Sequence, residues 1–538
     1  MHPASDTVGS SQRFPTNLVT FLTLVLFAIL TLTLRSYIPY DETRYISVAW
    51  EMWRDHSFLL PRLNESLYTE KPPLLFWLIM LGWKLFGVND WWPRSIPLIF
   101  ALFNLLLTRK IASCLWPDKK IIQNLAPLVM ISIPVWTFYS MALMFDMLVT
   151  CFVLIGFLAV IKIHKSPILA GILLGLSIGL GFLAKGPVIL VYLVPVILTI
   201  KYWHPHAELL KSGDYARFLL LAVGVAAIII ALWIIPVIET LGFARVKAIF
   251  LHQTRGRMIH ARSHVRPLWW YLKFLPLVVF PWFYRKHSLP RLSAILADKG
   301  LIFCLAATVP ALVIFSLFSS KQLHYMLPLY PPLVLMFCYQ VNETNIRLGS
   351  QFIGACFIIL GLAFLISRVF IAHHLNTHWL IEIGDIWPVT SMILGILLVT
   401  NQDADAVSNT ICIAITTCTV MLCLYASLLA APRPFTPIDK FAKKLADIQN
   451  RNVPLVSNMS HSEQFEYTGR MSHPLEKVDE DNIIAWAQDH PNGYVVDRYK
   501  SSKFNGTYEI SIPYRFNQVL VLMNSQQFLD FHNKKQNK

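Results

Sequence analysis

The chain has 538 residues, 55% of them hydrophobic and only 14% charged, with a mean hydropathy of +0.52. Ordinary soluble domains are about one-quarter charged, so a large soluble enzyme is excluded, and repeated apolar stretches of about 17–25 residues make a polytopic membrane protein. The formal charge of +15 is spread through short loops between apolar runs, as membrane topology or anionic lipid requires, and not gathered as a nucleic-acid-binding face would be.

The first 16 residues carry one basic residue, Arg13, and the apolar run at 17–34 is followed by no small-residue cleavage site. The expectation is a retained first span, not a removed signal peptide. Almost at once comes Tyr40-Asp41-Glu42-Thr43-Arg44-Tyr45. Ionisable residues this close to a membrane boundary are costly unless paired, hydrated or used. Further candidate spans fall at 94–112, 121–138, 147–163, 167–183, 187–203, 217–240, 268–284, 300–318, 327–341, 350–371, 384–400 and 410–431, giving about 13 with the first. The apolar run at 74–86 is too short to cross; Leu74, Trp77, Leu78, Leu81 and Leu85 share a helical face, which predicts an amphipathic helix lying in the interface.

Loop parity assigns the two sides. The even-numbered loops are short and basic (Arg109, Lys110, Lys119, Lys120, then Lys162, Lys165, then Lys201, Lys211, Arg217, then Arg285, Lys286, Arg291, Lys299), and the positive-inside rule places them in the cytoplasm. The odd-numbered loops and everything after residue 432 then face outward. Two outward loops break the charge rule: 37–73 with Arg44, Arg54, Arg62 and Lys71, and 241–267 with Arg245, Lys247, Arg255, Arg257, Arg262 and Arg266. An anionic ligand at the outer face supplies a reason. The expected architecture is an α-helical membrane domain over 1–431 and a small α/β domain over 432–538. In the latter, strands are predicted at 453–456, 494–497 and 518–523 and helices at 476–488 and 525–531. The eight cysteines lie in or beside apolar segments, none after residue 423, and no C-x-x-C spacing occurs, so they are read as small packing residues.

Each polar motif on the outward side has a plain alternative. Asp41 either caps a helix or, with Arg44 and Tyr45 on the same face, positions a substrate or takes a proton. The double proline of Tyr68-Thr69-Glu70-Lys71-Pro72-Pro73 fixes where Glu70 and Lys71 project, either as a snorkelling turn or as a phosphate contact at headgroup depth. Asp146 is a helix cap or a second working carboxylate. Lys185, in Ala184-Lys185-Gly186-Pro187, is a surface turn residue or a presented cation. Arg255-Gly256-Arg257 begins a cationic cluster, and Ser319–Tyr325 presents Lys321 and His324 at interface height. His374 and His378 have a metal-ligating i, i+4 spacing, although no H-E-x-x-H pattern accompanies them.

Taken in order, Asp41-Glu42-x-Arg44-Tyr45, Glu70-Lys71-Pro72-Pro73, the Asp146 loop, Lys185-Gly186-Pro187 and Lys321…Tyr325-x-Leu327-Pro328 resemble the bacterial lipid A aminoarabinose transferases. That family is part of the wider group that includes the dolichyl-phosphate-mannose-dependent protein mannosyltransferases, with the GT-C membrane fold. The chain departs from the pattern at Ala184, where threonine is more usual, and at His324, where a small or hydroxyl residue is.

The resemblance implies an inverting transfer of 4-amino-4-deoxy-L-arabinose from undecaprenyl phosphate to lipid A, at the periplasmic face of the inner membrane, by a monomer among membrane lipids. It casts Asp41 and Asp146 as the catalytic carboxylates and Arg44, Lys71, Arg255, Lys321 and Tyr325 as binders of the donor phosphate. Glu42, Tyr45, Lys185, Arg257 and His324 follow as substrate contacts; apart from the resemblance, the histidine spacing makes Glu70, His374 and His378 candidate ligands of a divalent metal such as zinc. The alternatives are a mannosyl- or other glycosyltransferase acting on exported protein or another glycan, and a polyprenyl-linked sugar flippase. A transporter should carry polar groups at mid-membrane depth and often an internal repeat, and the sequence has neither.

Overall fold

The computed structural model describes residues 15–38, 40–258, 266–283, 288–344, 349–375, 384–400, 405–430, 438–459, 461–501, 504–514 and 518–536. Eight helices build the part that carries the polar motifs: α1 (Thr16–Thr33), α2 (Asp41–Arg54), α3 (Leu74–Phe86), α4 (Trp91–Leu115), α5 (Lys120–Ile131), α6 (Pro134–Met141), α7 (Asp146–Ile161) and α8 (Pro167–Lys185). By length and composition, seven stretches among the described residues are fit to cross a membrane, or eight if α5 and α6 form one span. That is fewer than the expected 13. The difference lies in shorter apolar helices such as α7 and Ile386–Thr400, and in α5–α6, predicted as one straight span but bent by 69°. Pro134 at the start of α6 causes the bend, since it cannot donate back into α5.

The stretch 167–198 reverses on itself. A Cβ on Gly156 of α7 would meet both Ser177 Oγ at 2.8 Å and Leu193 Cδ2 at 2.6 Å, so α8 and the helix Ile189–Leu198 run side by side. The reversal is at Gly186, whose φ of 77° and ψ of −158° only glycine adopts without strain. Along α8, Gly171, Gly175 and Gly179 let the backbone of helix Ser212–Leu241 approach until an added Cβ would meet Phe218 O, Val225 Cβ and Ile229 Cβ at 2.6–2.8 Å. This is the small-residue stripe that lets helices pack in lipid, where no hydrophobic force drives them together. The outer side of that helix, with Leu220 and Leu232 about three-quarters exposed, is left for acyl chains.

Between α2 and α3 the chain makes a small antiparallel hairpin, β1 (Arg62–Leu63) and β2 (Ser66–Leu67). Its two turn residues, Asn64 and Glu65, have φ of 51° and 59°, the mirror-image turn that matches strand twist. Neither is glycine. The buried Glu51 of α2 compensates by accepting both of their amides, at 2.5 and 3.0 Å.

The C-terminal region forms a five-stranded sheet in the order β4-β3-β5-β7-β6, from β3 (Leu455–Ser457), β4 (Glu476–Lys477), β5 (Tyr494–Lys500), β6 (Ile510–Tyr514) and β7 (Gln518–Asn524). Strands β3, β4 and β5 are parallel, while β7 runs antiparallel to β5 and β6. Side chains alternate between faces. Val496, Leu520 and Leu522 meet Phe441 and Leu445 of helix Asp439–Asn450, whereas Val495, Val521 and Met523 meet Trp486 and Phe528 on the other face.

The predicted helix at 476–488 is corrected. Residues 476–477 pair with β3, a turn closes with Asn482 N on Asp479 O at 3.0 Å, and only Ile483–Asp489 is helical. The helix Asp439–Asn450 and strand β6 were not foreseen; β6 contains Pro513, which marks it as an edge strand.

This sheet region sits on α2 and α3. Ser47 Oγ donates to Glu463 O at 2.6 Å, Trp50 Nε1 to Met471 O at 3.1 Å and Arg498 Nη1 to the Tyr40 hydroxyl at 3.0 Å. The Tyr467 ring stacks on Trp83 at 5.3 Å, and its hydroxyl donates to Asp90 Oδ1 at 2.6 Å.

Candidate active site

The plain readings of both carboxylates fail on geometry. The residue capping α2 is Tyr40 and no side chain caps the helix; Asp41 Oδ1 instead accepts from Arg44 Nη2 at 2.5 Å and stays half exposed. The residue capping α7 is Phe145, and Asp146, nearly buried, forms an ion pair with Lys185. Lys185 is therefore no surface turn residue. It ends α8 immediately before Gly186, and its ammonium also lies 4.8 Å over the Tyr325 ring.

Two groups result. In the first, Arg44 lies between Asp41 and Glu70, whose Oε2 is 3.8 Å from Nη1, and covers the Tyr45 ring at 5.5 Å. Burial works against the guanidinium's charge, but Tyr68, Tyr45, Glu70 and Asp41 around it outweigh that and hold its pKa above the usual arginine value. Its Nε is buried and meets no acceptor among the described residues. In the second group, Asp146, Lys185 and Tyr325 are joined by Tyr192, whose hydroxyl donates to Tyr325 O at 2.9 Å. His324 packs edge-on against both Tyr325 (4.8 Å) and Tyr139 (5.6 Å).

Aromatic side chains join the groups. Tyr45 meets Phe145 at 4.9 Å, and Phe145 meets Phe76 at 5.7 Å. Tyr45 and Tyr139 each feel the charges of both Asp41 and Asp146. Two carboxylates and their cations thus share one aromatic-walled region, built from the start of α2, the turn before α3, the start of α7, the end of α8 and the loop before Tyr330.

Several expected contacts have other duties. Glu42 is buried against Arg35, and its carboxylate also accepts the amides of Ile38 (2.7 Å) and Leu143 (2.5 Å). Arg35 Nη1 in turn donates to Met141 O at 2.8 Å. Glu42 thus fixes α2 to the α6–α7 connection, a bracing role in place of the expected substrate contact. Breaking one side of a buried pair costs about 3–5 kcal/mol, so Glu42→Ala is expected to lose about that much stability in thermal unfolding of detergent-solubilised protein. Lys321 likewise has backbone partners. Its Nζ donates to Phe318 O (2.5 Å) and Arg266 O (3.1 Å), tying the segment before helix Trp270–Val279 to the loop ahead of Tyr325. Lys71 is half-buried beside Glu70.

Arg255 and Arg257 lie on helix Phe243–Met258, but their side chains, like that of His374 and the whole of His378, fall outside the described residues. Among the described residues no group of three metal-ligating side chains occurs. Glu70, the one described member of the expected ligand set, faces Arg44, with its Oε2 3.8 Å from Nη1.

Arg35, Tyr139 and Tyr192 were not singled out from sequence. Arg35 had a signal, a basic residue ending the first apolar run seven positions before Glu42. The two tyrosines had none, since a tyrosine in an apolar span reads as core.

The family profile of the dolichyl-phosphate-mannose-protein mannosyltransferases matches residues 70–235. The chain is 27% identical over 343 residues to the undecaprenyl phosphate-alpha-4-amino-4-deoxy-L-arabinose arabinosyl transferase of Pectobacterium atrosepticum, covering 60% of each chain. It is 29% identical over 345 residues to the same-named protein of Pseudomonas aeruginosa, covering 61% of this chain and 60% of that one. These matches span less than two thirds of the relatives' own length.

In structure the chain is similar to the ArnT protein of Cupriavidus metallidurans, solved with undecaprenyl phosphate. The TM-score is 0.69 at 16% identity, over 94% of this chain and 97% of that one. The chain is thus similar in part of its sequence to these transferases and shares the fold of the ArnT protein.

Proposed function

We propose that this protein is a membrane glycosyltransferase that moves 4-amino-4-deoxy-L-arabinose from undecaprenyl phosphate to lipid A, with inversion, at the periplasmic face of a bacterial inner membrane. The observation that carries the reading is the meeting of Asp41–Arg44 and Asp146–Lys185 across Tyr45 and Tyr139. An acceptor oxygen attacks the anomeric carbon, the bond from that carbon to the phosphate oxygen breaks, and the lipid phosphate leaves with the electron pair. The leaving group gains charge, which pre-placed cations stabilise most in a site that excludes water. In this reading Arg44 and Lys71 take this role, which the buried Arg44 Nε, without an acceptor among the described residues, supports. Asp41, half exposed, takes the proton of a hydroxyl acceptor, or orients a phosphate acceptor that is already ionised. Asp146 and Lys185 hold the sugar, Asp146 pairing with the ammonium of an aminosugar, and Tyr325 closes that side.

The reading includes residues 1–431 as the membrane part, with its shorter apolar helices also crossing to bring the spans toward about 13, and residues 432–538 as a periplasmic domain of a monomer. A second reading, transfer of a hexose to exported protein, draws on the mannosyltransferase profile over 70–235. Mass spectrometry of lipid A and of exported proteins, from cells with and without the chain, decides between them. An aminopentose on lipid A is expected; a hexose on protein would move the reading to the second, and no change in either would overturn both.

A further inference from the structure

The C-terminal region touches α2, the helix that begins with Asp41 and Arg44, through a contact that the chemistry above does not use. Glu51 of α2 and Glu466 of the C-terminal region are both fully buried, and their carboxyl groups are within hydrogen-bonding reach of each other. Two ionised carboxylates cannot make that bond; one must hold a proton.

The surroundings offer neither carboxyl an ion pair. Among the described residues no lysine or arginine is in ion-pairing distance of either group. Arg54, one turn along α2, is held by Asp55 at 2.7 and 3.1 Å, and its charge offsets part of the effect of burial on both carboxyls without forming an ion pair with either. Glu463, from the neighbouring turn, adds a further negative charge, with one oxygen on His461 Nδ1 at 3.0 Å. From the β1–β2 hairpin the backbone amides of Asn64 and Glu65 are both given to Glu51. The Asn64 side chain, oriented with its NH2 toward Glu466, donates to Oε1 at 3.1 Å and accepts from Lys477 Nζ of β4 at 3.3 Å. Glu466 Oε2 is buried and meets no donor among the described residues.

We infer that Glu51 and Glu466 share one proton, and that this bond is a positioning clasp through which the C-terminal region holds α2, and with it Asp41 and Arg44, in place. Burial raises the pKa of both groups, and for Glu466, with Glu51 adding to the effect, it is pushed up to about 10. For a carboxyl raised in this way, the stabilisation is complete below the ordinary glutamate range and is lost as pH climbs toward about 10. The clasp therefore holds at neutral pH and opens on the alkaline side. It relies on the transferase reading only for what α2 does once it is positioned.

The test is hydrogen exchange of helix Asp41–Arg54 in the detergent-solubilised full chain, corrected for the intrinsic pH dependence of exchange. In the wild type, protection should fall about tenfold or more between about pH 7 and about pH 9, where the folded pair keeps a proton that the opened helix gives up. Glu466→Gln, whose amide donates to Glu51 at every pH, should keep protection flat and remove the alkaline limb of the transfer rate. A flat wild type, or a Glu466→Gln profile falling in parallel with it, overturns the inference.

A second measurement needs no variant. The infrared stretch of a protonated carboxyl should persist in the wild type at about pH 8 and fade toward about pH 10, and its absence at the lower pH also overturns the inference. If exchange behaves as expected while no sugar transfer is found, the clasp stands and the transferase reading falls. If transfer is found and exchange does not respond, the reverse holds.

Discussion

Replacing Asp41 by asparagine is expected to lower sugar transfer about 10²–10⁴-fold, the usual contribution of a positioned general base, in a protein that folds as the wild type does. The separation of the two effects follows from the local geometry. Tyr40, not Asp41, occupies the capping position of α2, so no helix cap is lost. The pairing with Arg44 involves a half-exposed carboxylate, and pairs of that kind contribute about 0–1 kcal/mol. The bond that fixes α2 belongs to Glu42 and Arg35, one residue along and pointing the other way. Melting temperature in detergent and single-turnover transfer from a polyprenyl-phosphate donor check the two halves. The size of the loss is informative too. A hydroxyl acceptor must give up a proton and should show the full range, whereas a phosphate acceptor arrives ionised and needs Asp41 only for orientation, with a loss nearer tenfold. Normal transfer from a folded variant would remove Asp41 from the mechanism.

What sequence made legible, and what it did not, divides along the same physical line. The membrane class, the first span, the helix at 74–86 and the grouping of polar motifs at one end came from hydropathy and local charge, which need no tertiary information. The Gly186 turn was also legible, because lysine, glycine and proline in succession leave the backbone few options. Partner choice was not. Nothing within a few residues of Glu42 distinguishes a brace from a substrate contact; Arg35 and the Leu143 amide decide it, and Leu143 is distant in the chain. Lys321 is the same case. It carries the charge expected of a phosphate ligand, but the carbonyls of Phe318 and Arg266 come close enough to use it. In the C-terminal region the apolar alternation of β5 and β7 was readable. Strand β4 was not, because two charged and exposed residues give no periodic signal, and it exists only through pairing with β3.

The second large effect concerns Asp146 and Lys185, where stability and chemistry must be separated by a double replacement. Both side chains are nine-tenths or more buried, so each single change strands a charge: among the described residues, Asp146→Ala leaves the ammonium with the Tyr325 ring, and Lys185→Met leaves the carboxylate without its ion-pair partner. Each single variant is expected to lose about 3–5 kcal/mol of stability. The pair Asp146→Asn with Lys185→Met removes both charges at near-constant volume. It should recover to within about 1 kcal/mol of the wild type, because a buried ion pair is worth little against an uncharged replacement of similar shape. Transfer should not recover with it. If the pair holds the sugar, the double variant stays down by about 10²-fold or more, the loss that misplacing a bound reactant produces. Stability then couples strongly between the two positions while activity does not, and a double-mutant cycle on both readouts measures the contrast. A double variant that is stable and fully active would make this ion pair a strut between α7 and α8, and would leave Asp41 as the sole working carboxylate of the site.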